Sequence, residues 1–168
     1  KIFPYIQQNV DKIMTVSDKE LIVCFLDMIE NHKMVVENSG LLTVAALKRL
    51  KCQNKKVVAI MSGGNMDVIT MASVVQQGLI FRERIFTFSV QLPDKPGELV
   101  HVAQILAENQ GNVIRLDHNQ FVSINRNSAV ELTITLEAFG PEHKQKILKA
   151  LEDAGYTPNV VASKAMYQ

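Results

Sequence analysis

Three groups of residues in this chain have types and spacing that could do chemistry. The first is Ser62-Gly63-Gly64-Asn65, which closes the apolar, partly β-branched run Val57-Val58-Ala59-Ile60-Met61. Such a run reads as a buried strand, and two glycines after it let the backbone turn tightly and let a ligand approach. Asn65 can cap a helix starting at Met66, with Asp67 in the first turn favouring the positive helix end. Strand, small-residue turn and helix start is where α/β sheets place ligands, although an ordinary strand-to-helix connection has the same spacing. The second group is Asp94, Pro96 and Gly97, with Asn112 and Val113 further on. Pro96-Gly97 brings backbone amides to a helix N-terminus, a place suited to a carboxylate, and Asp94 and Asn112 are expected together at that end of a sheet. The alternative is a plain loop with Asp94 solvated. The third group is the histidines and cysteines. His32, His101, His118 and His143 lack metal-ligand spacing, so solvated or capping roles are the default. Cys24 sits on an apolar helix pattern and reads as a buried structural thiol.

Elements must position these residues. Ser17-Asp18-Lys19-Glu20 is a capping box, with Val16 and Leu21 placed as a hydrophobic staple. The helix it opens carries Leu21, Ile22, Phe25, Leu26 and Ile29 on one face and ends near Asn31-His32. A second helix places Leu42, Ala45, Ala46 and Leu50 toward the core. A third runs from Met66 to about Gln77, with Gly78 as its stop. Met61, Met66 and Met71 read as core filler. One or two strands cannot make a self-sufficient parallel sheet, so residues 1–81 are expected to be a slice of a larger α/β domain.

After the charged joint 82–84 the period changes to two. Phe86, Phe88, Val90 and Leu92 alternate with Thr87, Ser89 and Gln91, a half-buried strand. A loop through two prolines and Gly97 leads to a helix bearing Leu99, Val102, Ala103 and Leu106, ended by Gly111. A strand from Asn112, a hairpin tip at 125–128 and a strand through Val130, Leu132, Ile134 and Leu136 follow. A helix from Pro141 and a weaker strand at 157–161 complete the order βαββαβ, a ferredoxin-like sandwich.

The segment Glu37-Asn38-Ser39-Gly40, then helix, strand and Ser62-Gly63-Gly64-Asn65, resembles the end of the catalytic region of pyridoxal-phosphate-dependent threonine/serine dehydratases. Leu92-Pro93-Asp94-Lys95-Pro96-Gly97-Glu98-Leu99 opens a stretch that resembles an ACT domain, an amino-acid-sensing module. The two resemblances stand in the order that family uses. They imply residues 1–81 from a fold-type II catalytic domain, a joint at 82–84, an ACT domain at 85–162 and a tail at 163–168. They also imply that Ser62 offers its hydroxyl to the cofactor's pyridine nitrogen, that Gly63 and Gly64 let the backbone pass the ring, that Asn65 fixes the turn and that Glu37 lies near the ring. Read without the resemblance, Glu37 is equally a solvated loop residue and Ser39 a helix cap. The Schiff-base lysine and the glycine-rich phosphate loop are missing, so the chain alone is expected to be inactive. In the ACT stretch, Asp94, Pro96, Gly97, Asn112 and Val113 match positions that hold an amino-acid effector. Asp94 departs from the asparagine of some members, which leaves the effector open. Implied partners are the rest of the catalytic domain and further copies joined through ACT sheet edges, with isoleucine the family's usual kind of effector.

Composition sets the remaining bounds. The chain has 168 residues, 47% of them hydrophobic and 21% charged, as a packed globular core requires. A net charge of +1 with no basic stripe argues against nucleic acid, including RNA recognition on a split βαβ sheet. No apolar run approaches membrane-spanning length and no signal peptide is visible; two unpaired cysteines suit a cytoplasmic setting. A start at Lys1 reads as a fragment or a cleaved product. A non-catalytic amino-acid-sensing module is the alternative function.

Overall fold

Alternation after residue 84 becomes a four-stranded sheet in the computed structural model, which describes residues 1–119 and 130–161. Strand β1 (Ile85–Leu92) is followed by helix α5 (Glu98–Glu108), strands β2 (Asn112–Asn119) and β3 (Val130–Glu137), helix α6 (Pro141–Asp153) and strand β4 (Asn159–Val161). Four helices, α1 to α4, precede them. Sheet order is β2-β3-β1-β4, and every neighbouring pair is antiparallel. This is the expected ferredoxin-like topology. Phe86, Phe88, Val90 and Leu92 of β1 join Leu132, Ile134 and Leu136 of β3 beneath Val102, Leu106, Ile147 and Leu151 of the helices, all nearly sealed from solvent. The hairpin tip at 125–128 and the tail 163–168 lie outside the described residues.

Two units divide the chain, Lys1–Val75 and Gln76–Gln168. The first holds α1 (Phe3–Asn9), α2 (Asp18–Asp27) with a π-turn at Met28–His32, and α3 (Asn38–Ala46) with a 3-10 turn at Leu47–Arg49. The boundary falls within α4 (Val68–Phe81). The capping box forms: the Glu20 N–H donates to Ser17 Oγ, and the Ser17 N–H donates to Glu20 Oε2 at 2.8 Å. Arg49 binds the same carboxylate through Nε and Nη2 at 2.7 and 2.6 Å. Leu21, Cys24, Phe25, Met28, Val36, Leu41, Ala45 and Val74 form this unit's core, with Met61, Met66 and Met71 packed against it. Burial pushes the Cys24 thiol above its ordinary value, as an inert structural cysteine requires.

Three expectations fail here. The run Val57–Met61 forms no strand, and Val58 and Ile60 are 89% and 74% exposed. A parallel strand needs hydrogen-bonding neighbours and two covered faces, and none of the described strands pairs with it. Helix α3 turns Leu41 and Ala45 inward, whereas Leu42 and Leu50 are 44% and 39% exposed. Gly78 does not stop α4, which continues through it to Phe81. The stop is the left-handed Glu83, whose N–H donates to the Ile80 carbonyl while the Arg84 N–H donates to that of Leu79.

Candidate functional site

The turn after Met61 is built against the start of α3. The Glu37 N–H donates to the Gly63 carbonyl at 3.2 Å, and Gly63 has φ +84°. A β-carbon on Gly63 would stand 2.3 Å from Glu37 Oε1, and one on Gly40 would stand 1.8 Å from the Ser62 carbonyl oxygen. Glycine is therefore required at both positions, once for backbone conformation and contact and once for contact alone. Ser39 Oγ donates to Glu37 Oε1 at 2.6 Å, and Thr43 Oγ1 donates to the Ile60 carbonyl at 2.7 Å. Glu37, Ser62 and Gly63 thus come together as the sequence suggests, and Glu37 is half-buried rather than solvated. Gly64 is open: an added β-carbon would touch only the Val35 carbonyl, at 3.7 Å.

Asn65 does not cap the following helix. Asp67 does, two residues later, accepting the Thr70 N–H at 2.9 Å and the Thr70 hydroxyl at 2.5 Å. Those bonds from Thr70 hold the Asp67 carboxyl below its ordinary value. The spacing Asp67-x-x-Thr70 was the available signal, because the cap reaches the third helical residue. Thr43 has no signal in the sequence, and Gly40 stands out there only as part of a motif, since their contacts with Ile60 and Ser62 appear only in the fold.

Chemically, the turn presents an exposed Ser62 hydroxyl, with no hydrogen-bond partner among the described residues, beside glycine backbone. Only on its C-terminal side, at Gly63 and Gly64, does the backbone beside this hydroxyl lack side chains; Met61 precedes it. No group of three His, Cys, Asp or Glu residues that could hold a metal occurs among the described residues.

The second candidate site is a cavity of about 300 Å³ around the β1–α5 loop, lined by Asp94, Lys95, Pro96, Gly97, Glu98 and His118, with Leu92, Pro93 and Leu99. Gly97, at φ +99°, turns the chain into α5. Asn112 and Val113 are not at this end. Asn112 pairs with Glu137, which also pairs with Ile85 at the start of β1, and Asn112 Nδ2 donates to Glu137 Oε2 at 3.1 Å. Because β1 and β2 both run antiparallel to β3, they are parallel to each other, so the loop after β1 meets the end of β2 and not its beginning. The separation is about 20 Å along the strand. His118 takes the place expected for Asn112.

A side-chain relay braces this loop. Tyr156 Oη donates to Glu98 Oε2 at 3.0 Å and lies 2.8 Å from His101 Nδ1; with its single proton committed to Glu98, Tyr156 accepts from His101. Burial foremost, then the bond to Glu98, pushes the Tyr156 hydroxyl above its ordinary value. Tyr156 also lines a neighbouring cavity of about 510 Å³ with Gln91, Pro93, Thr157 and Asn159. His143 clasps the start of α6: Nδ1 accepts the Phe139 N–H at 3.1 Å, and Nε2 lies 2.7 Å from the Asn109 carbonyl. Among the described residues, no helix is long and apolar enough to cross a membrane.

No family model matches the chain. It is 33% identical over 161 residues to an L-threonine ammonia-lyase of Geobacter sulfurreducens, a match covering 95% of this chain and 40% of the relative. It is 29% identical over 160 residues to an L-threonine ammonia-lyase of Thermotoga maritima, again covering 95% and 40%. A biosynthetic L-threonine dehydratase of Corynebacterium glutamicum is 33% identical over 102 residues, 59% of this chain and 23% of that one. The chain therefore spans about 40% of the length of the two ammonia-lyases. Among solved structures, prephenate dehydratase from Streptococcus mutans aligns with a TM-score of 0.39 at 17% identity, covering 45% of this chain and 40% of that one. The regulatory subunit of aspartate kinase from Thermus flavus aligns at 0.38 and 23%, covering 46% and 50%.

Proposed function

We propose, from the 33% and 29% identity of 95% of this chain to two L-threonine ammonia-lyases, that it is the C-terminal portion of a pyridoxal-phosphate-dependent threonine/serine dehydratase. The whole protein would eliminate water from L-threonine or L-serine and release 2-oxobutanoate or pyruvate with ammonia. When bound, pyridoxal phosphate supplies the electron sink for such an elimination. Ser62 would hydrogen-bond its ring nitrogen; a neutral hydroxyl pulls a proton onto the ring less strongly than a carboxylate, which suits a substrate whose own leaving group relieves the developing charge. Glu37 and Gly40 would hold Ser62 in register.

The observation that carries this reading is the fit of Ser62-Gly63 against Glu37 and Gly40 beside an exposed apolar run, Val57 to Ile60. Val58 and Ile60, 89% and 74% exposed, suit a surface that upstream chain would cover as the missing strands of a parallel sheet. In the full-length protein, Ser62→Ala should lower turnover on threonine while the bound cofactor keeps its visible absorbance. An unchanged rate would remove Ser62 from the cofactor.

The sandwich would be an ACT domain that binds an amino-acid effector. Its edge strand β2 leaves Val113, Ile114 and Leu116 about 40% exposed. Two copies paired antiparallel about Leu116 would carry Asn112 and Val113 of each to the other's His118 end, where the cavity and Asp94, Pro96 and Gly97 lie. The positions that one chain separates would thereby complete each other, and the protein would be a homo-oligomer. Isoleucine, valine, serine and threonine are the ligands to titrate. A non-catalytic sensor is the remaining reading, and the coding sequence upstream of Lys1 decides it: a Ser-x-Lys motif with a glycine-rich loop means the lyase.

A further inference from the structure

Helices α4, α5 and α6 end alike, with a left-handed residue after the last turn and paired bonds back to the helix. After α6 that residue is Gly155, at φ +91°, the default choice because it has no β-carbon. After α4 it is Glu83, at φ +54°, in the joint before β1. After α5 it is Gln110, at φ +59°, and of the three only Glu83 carries a carboxylate. Glu83 Oε1 lies 2.7 Å from Lys144 Nζ, and the Lys144 side chain, on α6, is only 11% exposed. Lys144 Nζ also sits 5.7 Å from the centre of the Phe86 ring. An ammonium so deeply placed needs a partner, and Glu83 is the carboxylate paired with it. On the other side of the joint, the Ala138 N–H donates to the Arg84 carbonyl at 2.7 Å, extending the β1–β3 ladder by one residue.

We infer that the Glu83–Lys144 pair is a lock that ties the end of α4 to the sandwich, so that a change in the sandwich on ligand binding is passed into α4 rather than absorbed in the joint. The inference rests on the reading of the protein as a dehydratase with an amino-acid sensor. A loose joint would uncouple the two activities without harming either, because coupling needs an element whose states the ligand favours unequally.

The test uses the full-length protein with Glu83→Gly and, separately, Lys144→Met. Glycine keeps the left-handed cap and removes the carboxylate; methionine fills the lysine stem's space without charge. Both variants should keep the basal rate on threonine and the heat of isoleucine binding, lose the isoleucine-induced change in rate by about fivefold or more, and be cut faster by trypsin after Arg82 or Arg84. An undiminished isoleucine response, lost isoleucine binding, or wild-type behaviour of Glu83→Gly alone overturns the lock. If the unmodified protein responds not to isoleucine but to valine, serine or threonine, that amino acid replaces isoleucine in the test. If it shows no turnover, or binds and responds to none of the four, it is the dehydratase-with-sensor reading that fails. Trypsin then decides alone: faster cleavage in both variants keeps the lock, and unchanged cleavage overturns it.

Discussion

Gly63 and Glu37 occupy one another's space so fully that a β-carbon on Gly63 would stand 2.3 Å from Glu37 Oε1, while the Glu37 N–H donates to the Gly63 carbonyl. The carboxylate is thus positioned against the turn, and the Ser39 hydroxyl donates to the same Oε1. With Gly40 against Ser62, the turn and the start of α3 form one object, so either moving would carry the Ser62 hydroxyl with it.

Gly63→Ala should therefore be costly. A left-handed backbone at an alanine predicts a loss of about 1–2 kcal/mol in denaturant unfolding, and the added β-carbon would displace the Glu37 carboxylate from its place. Gly64→Ala, which meets nothing closer than 3.7 Å, should cost well under half of that. Equal losses would refute the fit.

Asp67 gives a pH dependence with a definite sign. Its carboxylate accepts two bonds from Thr70 and is held below its ordinary 3.8, so the cap's contribution is present above that value and is lost as pH falls through the lowered one. Amide exchange in the first turn of α4 should quicken on that acid side. Asp67→Asn, which keeps an acceptor but does not titrate, should abolish the change; identical acid profiles would remove Asp67 as the cap.

Period-two alternation made the sandwich legible, because Phe86 to Leu92 and Val130 to Leu136 face one core that the same residues complete. The capping box was legible because its bonds are local. The run Val57 to Met61 misled because composition encodes suitability for burial, whereas strand formation depends on neighbours that residues 1–81 do not contain. Asn112 misled for a topological reason: in a βαβ unit the second strand starts at the far end from the first loop. His118 was missed because only the long-range register of β2 brings it to the Asp94 cavity, and the Tyr156 link to Glu98 and His101 because it spans more than fifty residues of chain.

Val58 separates the two contexts. In the 168-residue chain, Val58→Lys should change stability by less than about 0.5 kcal/mol, since the side chain is 89% exposed. In the full-length protein it should lower stability by several times that, because a charge would enter a buried parallel sheet. Equal, small effects in both would show that nothing covers the run.

Tyr156 should ionise late. Its hydroxyl, raised above 10.0 by burial and then by Glu98, favours the folded state below 10.0 and loses that contribution as pH rises through the raised value. The phenolate absorbance lost on Tyr156→Phe isolates its titration. Glu98→Gln should lower the midpoint only part of the way, since burial persists; full return would make Glu98 the main cause.

The most direct test is the release of 2-oxo acid from L-threonine and L-serine by the full-length protein, measured with and without isoleucine. The account predicts 2-oxobutanoate or pyruvate in step with ammonia, at a rate the amino acid alters. No 2-oxo acid from either substrate would contradict it.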